Sequence, residues 1–124
     1  MSGVHRFEDL RCWQEARVLS AAIERYLSSA NGIDPFLVDQ LRRAALSVQT
    51  NIAEGFERYT HNEFHRFLRI AKASAAETRA LLTNAMDRGL LDPVRHEVLS
   101  NQAQKVGALT SRLMSYLRSK KRAE

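Results

Sequence analysis

Two Asp-Pro pairs divide the chain and limit the folds open to it. Asp34-Pro35 and Asp92-Pro93 each precede a long stretch in which apolar residues recur every three or four positions. At the start of a helix, aspartate caps free backbone N–H groups and proline fits the first helical position. Both pairs therefore predict helix starts, and Asn31-Gly32 and Gly89 just upstream predict the ends of the preceding helices.

Two further stretches have the same helical period. One begins near Leu10, with Asp9 as its predicted N-cap. The other follows Thr60, which has capping-box spacing to Glu63. Next to that cap, Tyr59 and Phe64 have the spacing of a hydrophobic staple. Four amphipathic segments therefore account for most of the chain.

The predicted architecture is all-α, an antiparallel up-down-up-down four-helix bundle. Its helices are predicted at about 10–30, 35–58, 61–88 and 93–117. Each connection is short, which favours antiparallel neighbours, and no segment alternates with the period of a strand. Residues 1–117 form the bundle in this prediction, and residues 118–124 form a basic C-terminal tail.

Composition places this single domain in a reducing compartment. The chain of 124 residues has one cysteine, Cys12, which excludes an internal disulfide. Neither a charged-then-apolar leader nor an apolar run of about 18 residues is present, so we expect a cytoplasmic protein without a membrane role. The net charge is +5, and the last seven residues hold four of the 19 basic groups and one of the 14 acidic groups.

The second predicted helix has two different faces. Val38, Leu41, Ala45, Val48, Ile52 and Phe56 fall on one side, as in an ordinary core stripe. The opposite side is polar, and its residues are Arg43, Ser47, Asn51, Glu54 and Arg58. Gly55 interrupts the helix at a cost of about 1 kcal/mol relative to alanine, which a close backbone approach would offset.

This segment resembles the signature of the four-helix-bundle proteins encoded in intervening sequences of bacterial 23S ribosomal RNA. The resemblance is carried by Gln40, Arg42, Arg43, Ala44, Ala45, Ser47, Asn51, Ile52, Ala53, Glu54, Gly55 and Arg58. The family's entry segment is matched by Phe7, Leu10, Trp13 and Ala16, and a later family segment by residues 62–77. Ala73 stands where the family usually has glycine.

The resemblance implies a ring-forming bundle, with a homopentamer as the expected assembly. A related branch is similar to the accessory variability proteins of diversity-generating retroelements. Those are pentameric barrels that partner a reverse transcriptase and bind nucleic acid. On this basis the polar face of the second helix, Arg43, Ser47, Asn51, Glu54 and Arg58, is interpreted as an oligomer interface. The alternative is an exposed face stabilised by the Glu54–Arg58 pair, worth about 0.2–0.5 kcal/mol.

A second set of residues forms a basic stripe on the third helix. His65, Arg69, Lys72 and Arg79 fall on one side of it, with Arg66 nearby. Because lysine and arginine dominate contacts to phosphate, this stripe is a candidate nucleic-acid surface. An ordinary solvated face is an equally good interpretation, since Glu63 and Glu77 lie next to it. The full set predicted to bind nucleic acid is Arg66, Arg69, Lys72, Arg79, Arg118, Lys120, Lys121 and Arg122.

Catalytic chemistry has little support in the sequence. His61 and His65 have a spacing that can hold a metal on one helix face, but a third ligand would be needed. Cys12 is interpreted as a packing residue rather than a nucleophile. We therefore expect no enzyme, cofactor or metal, with a metal-dependent enzyme through the two histidines as the weakest alternative.

The leading hypothesis is a non-enzymatic oligomeric protein that binds nucleic acid, with RNA preferred. The second is a protein–protein adaptor or scaffold, for example a reverse-transcriptase partner, without direct nucleic-acid binding. Charge reversal at Arg69 and Lys72 separates the two, because it abolishes RNA binding and spares an adaptor whose contacts lie elsewhere.

Overall fold

Four helices make up nearly all of the structure. The computed structural model describes residues 3–123, with side-chain surroundings described through Lys120. A 3₁₀ turn at Phe7–Asp9 precedes α1 (Arg11–Ser29), α2 (Pro35–Phe56), α3 (His61–Asp87) and α4 (Pro93–Ala123). No strand occurs between residues 3 and 123. The prediction of an all-α four-helix bundle is confirmed.

The predicted caps at the starts of α2, α3 and α4 are present. The Asp34 carboxylate accepts the Phe36 N–H at 2.9 Å, and the Thr60 hydroxyl accepts the Glu63 N–H at 3.1 Å. The Asp92 carboxylate accepts the Arg95 N–H at 2.9 Å. Each bond satisfies a backbone donor that has no partner inside its helix.

Three local predictions were wrong. Asp9 does not cap α1, because it lies within the 3₁₀ turn, and the N-cap residue is Leu10 without a side-chain bond. Tyr59 is fully exposed and makes no staple; instead Phe56 meets Phe64 edge-on with ring centroids 6.0 Å apart. Rather than ending near Leu117, α4 continues to Ala123, because the basic residues there are good helix formers.

Contacts between helices fix their relative directions. As residue numbers rise on one helix, the numbers of their partners fall on the next, so α2 and α3, α3 and α4, and α4 and α1 are each antiparallel. The contacts that establish this are Ser47 with Ser74, Gly55 with Phe67, Thr83 with His96, His65 with Arg118, Ser29 with Arg95, and Glu15 with Gln102.

The core runs the length of the bundle and contains residues from every helix. Its fully buried large side chains include Leu19, Ile23, Leu41, Ile52, Leu68, Leu82, Val106 and Leu117. On α1, Cys12 is buried whereas Trp13 is half-buried and packs edge-on against Phe7, with ring centroids 5.1 Å apart. Within residues 3–123, no helix is both long and apolar enough to cross a bilayer.

Candidate nucleic-acid interface

The close approach of α2 and α3 explains the glycine in the second helix. Gly55 is buried, and a Cβ atom built on it would lie 2.7 Å from Cβ of Phe67 and 3.0 Å from Cδ1 of Phe64. No residue with a side chain fits there without moving one helix away from the other. The close approach expected from the sequence is therefore made inside the protomer, by α3.

Part of the predicted oligomer interface forms a polar network between these two helices. The Ser47 and Ser74 hydroxyl groups are 2.9 Å apart, and Ser74 is buried. The Asn51 amide donates to the Ser47 carbonyl at 2.8 Å and lies 3.0 Å from its hydroxyl oxygen. Ser47 and Asn51, two of the predicted interface residues, thus use polar atoms within their own chain, because this part of the polar face of α2 lies next to α3.

The charged members of that predicted interface are paired with acids of α2. Arg43 lies 3.7 Å from Asp39, and Arg58 lies 3.0 Å from Glu54. The Arg58 guanidinium also stands over the Phe67 ring at 4.8 Å. Arg43, Glu54 and Arg58 remain exposed, so their outer surfaces are accessible in the protomer.

Acids on α1 are likewise neutralised by neighbouring helices. Glu15 lies 3.2 Å from Lys105 and accepts a bond from Gln102 at 3.0 Å. The bond from Gln102 is the larger cause of a lowered Glu15 pKa, and Lys105 adds to it. Arg42 forms a two-pronged pair with Glu24, and this bonding lowers the pKa of the Glu24 carboxyl.

Four cations on α3 differ from those on α1 and α2 in their surroundings. Arg66, Arg69, Lys72 and Arg79 are all exposed. Among the residues that the structure describes, no carboxylate lies within 4.0 Å of their charged groups. Of the two acids that made a solvated face an equal alternative, Glu77 lines a separate depression between α2 and α3, and the Glu63 carboxylate lies 3.4 Å from the Thr60 hydroxyl. These four cations therefore present positive charge to solvent without a carboxylate partner among the described residues.

The end of α4 adds to this positive surface. Arg118 Nη1 lies 2.9 Å from Nε2 of His65, which connects the predicted tail to the α3 stripe. Lys120 stands over the Tyr116 ring at 5.8 Å. Lys121 and Arg122, also predicted to bind nucleic acid, have side chains outside those described. Arg118 and Lys120, in the first part of the predicted tail, thus lie on α4 and extend the positive surface of α3.

A groove of about 240 Å³ lies between α3 and α4, next to the stripe. Its lining from α3 is Lys72, Ala75, Ala76 and Arg79, and its lining from α4 is Ala103, Gln104, Gly107, Ala108 and Ser111. The α4 side of this groove was missed in the sequence. Gly107-Ala108 could have indicated it, because these two small residues lie in the middle of a predicted helix, where no turn requires them.

Histidine and cysteine chemistry finds no organised centre in the described residues. Nowhere between residues 3 and 123 do three or more His, Cys, Asp or Glu side chains gather at a spacing that would hold a metal ion. His61 and His65 line a shallow depression with Asn62, Leu117 and Arg118. Cys12 is buried, and burial raises its thiol pKa to about 11, so the reactive thiolate is scarce at neutral pH.

Comparison with known proteins supports the resemblance seen in the sequence. The family model described as 23S rRNA-intervening sequence protein matches residues 8–112. Among solved structures, the bundle is similar to a protein of unknown function from the S23 ribosomal protein family of Bacteroides thetaiotaomicron VPI-5482. Their TM-score is 0.77 at 18% identity, over 83% of this chain and 97% of that chain.

At that identity the structural likeness establishes the fold alone. No curated protein matches the chain. Neither of the two descriptions names an enzymatic activity.

Proposed function

We propose that this chain, which belongs to the 23S rRNA-intervening sequence protein family, is a non-enzymatic oligomeric bundle that binds nucleic acid, with RNA as its preferred ligand. The observation that carries the proposal is the contrast between two sets of cations. Arg42, Arg43 and Arg58 are each paired with an acid of the same chain. The α3 cations, which are predicted ligand contacts, have no such partner among the described residues.

Unpaired surface cations favour a polyanionic ligand. Each lysine or arginine that contacts a phosphate releases condensed counterions, which is the main source of affinity in sequence-independent binding. Four contacts from Arg66, Arg69, Lys72 and Arg79 give a salt slope of about −3.6 on a duplex. That slope corresponds to a loss of about 100-fold in affinity between 50 and 200 mM salt.

Oligomerisation is part of the proposal because it multiplies a weak site. A ring, with five subunits as the expected number, repeats the α3 stripe and the end of α4 around one axis. Linked sites raise affinity beyond that of any single site without new contacts. Exposed apolar side chains outside the stripe, including Val18 on α1 and Leu46 on α2, suit contacts between subunits. A cytoplasmic location completes the proposal and agrees with the single, buried, free cysteine.

The test is a titration of the protein with structured RNA and with duplex DNA at several salt concentrations. Absence of binding at low salt rejects the nucleic-acid role. The double variant Arg69→Glu with Lys72→Glu is expected to abolish binding. Its control is Arg17→Glu with Arg25→Glu, which changes net charge equally at exposed positions on α1. Light scattering coupled to size exclusion gives the subunit count.

A protein–protein adaptor is the second candidate, and one surface favours it. Val94 and Val98 lie one turn apart on α4 and are 74% and 64% exposed. They line a shallow apolar depression with Ala22 and Arg25 of α1. An adaptor using this surface keeps its partner when Arg69 and Lys72 are reversed in charge, whereas the leading proposal requires that RNA binding be lost.

A further inference from the structure

Gly107 has no role inside the protomer that requires glycine. It lies in the middle of α4, where glycine is the poorest helix former after proline. Gly55, the other glycine within a helix, is explained by Phe67 on the facing helix. A Cβ atom on Gly107 would meet no heavy atom within 4 Å, and its φ angle is an ordinary helical one. The space over Gly107 is therefore open to something outside the protomer.

That space belongs to the groove between α3 and α4. Ala76 and Ala108 also line it, so small side chains leave the helix backbones accessible. Lys72 and Arg79 lie on its α3 side, and Gln104 and Ser111 supply hydrogen-bonding groups on its α4 side. No carboxylate is among the described residues that line it. A narrow negatively charged chain with many acceptor oxygens is complementary to this lining.

A protein helix fits the groove less well. Protein interfaces gain most of their affinity from large apolar or aromatic anchors in pockets. The large exposed apolar residues of the described chain lie elsewhere, and none of them lines this groove. Even Ile70, the one that belongs to α3, is outside the lining. The groove thus lacks the anchors that a polypeptide partner would use.

The spacing of the two cations matches a nucleic-acid strand. Lys72 and Arg79 are seven residues apart, which places them about 10 Å apart along the helix axis. In a duplex, one strand advances about 3.4 Å per nucleotide along the helix axis, so this distance corresponds to about three nucleotides of rise. Both side chains can therefore reach phosphates of the same strand, with the sugars between them over the small residues.

We propose that the groove between α3 and α4 seats the sugar-phosphate backbone of one nucleic-acid strand against Gly107, with Lys72 and Arg79 on two of its phosphates. The inference rests on the proposed function and deepens it, because it names the part of the ligand that is bound and adds α4 to the site. The identity of the bases does not affect binding in this groove, since the contacts are to the sugar-phosphate backbone.

The test is the variant Gly107→Gln, which fills the groove without altering charge. Glutamine is a better helix former than glycine and its Cβ meets nothing, so the bundle is expected to keep its stability. Ala21→Gln is the matched control, since Ala21 is an exposed small residue of α1, which does not contact α3. Binding of a fluorescent RNA hairpin, assembly mass and melting temperature are measured for each protein.

We expect Gly107→Gln to weaken hairpin binding about tenfold, a loss of about 1.4 kcal/mol in binding free energy, and Ala21→Gln to leave binding unchanged. The double variant Lys72→Gln with Arg79→Gln is expected to reduce the salt slope by about 1.8. If the Gly107→Gln variant binds the hairpin as tightly as the wild type does, the groove assignment is overturned and the proposed function stands. No binding by the wild type overturns the proposed function itself. A lower assembly mass for Gly107→Gln shows that a second copy occupies the groove, which also overturns the inference.

Discussion

Replacing Gly55 with alanine tests how closely α2 and α3 pack. The added Cβ would lie 2.7 Å from Cβ of Phe67, an atom fixed to the α3 backbone, so the clash is relieved only by separating the helices. Overpacking typically costs about 1–3 kcal/mol, and we take about 3 kcal/mol because the contacted atom is fixed to the backbone. The better helix propensity of alanine returns about 1 kcal/mol. The net expectation is a loss of about 2 kcal/mol in the free energy of unfolding.

The matched control is the same substitution at Gly107, where a Cβ meets nothing within 4 Å. There alanine is expected to stabilise the protein by about 1 kcal/mol, since only helix propensity changes. The two substitutions are thus predicted to have opposite signs despite identical chemistry.

Urea unfolding followed by circular dichroism, at one protein concentration for all variants, measures both. With an m-value of about 2 kcal/mol/M, Gly55→Ala is expected to lower the midpoint by about 1 M and Gly107→Ala to raise it by about 0.5 M. A Gly55→Ala protein as stable as the wild type would refute the close approach.

Four further outcomes are expected. Asn51→Ala removes two hydrogen bonds to Ser47 and is expected to lower the free energy of unfolding by about 1 kcal/mol. The assembly mass in light scattering is expected to stay unchanged. A fall in that mass would support the predicted interface. Glu15→Gln is expected to destabilise by less than about 1 kcal/mol at pH 7. The pKa of Glu15 is lower in the folded state than its usual value of 4.5. The stability difference between the wild type and Glu15→Gln should therefore disappear as the pH falls from 4.5 through the folded-state pKa. Urea titrations at several pH values measure it. The Cys12 thiol, with a pKa of about 11, is expected to resist a thiol reagent at pH 8 until urea unfolds the chain. Tyr26→Phe removes the hydroxyl that donates to the Leu90 carbonyl and is expected to cost about 1 kcal/mol in the same urea assay, with no cost if that bond is unimportant.

The sequence predicted the fold well because its strongest signals are local. Asp34, Thr60 and Asp92 act within three residues of themselves, so their effect on the backbone does not depend on the rest of the chain. The positive φ angles of Gly32 and Gly89, +75° and +74°, arise from equally local chain reversals. Such features can be recognised without knowing which helix lies next to which.

Predictions that depended on packing were less successful. Helical periodicity placed Ser47 and Asn51 on a face opposite the core, but periodicity cannot show that Ser74 of α3 lies against that face. Tyr59 was predicted to pack against Phe64 from its spacing alone, yet Tyr59 is fully exposed. The α4 side of the groove was missed because alanine and glycine give no chemical signal until the facing helix is known.

The burial of residues near the end of α4 has a consequence for biosynthesis. Met114 and Leu117 are core residues, so the first three helices leave part of their apolar surface uncovered until the end of α4 has been made. Helical proteins dominated by local contacts fold in microseconds to milliseconds, whereas translation adds only about 5–20 residues per second. The nascent chain therefore spends seconds with an exposed core, which closes almost at once after α4 emerges.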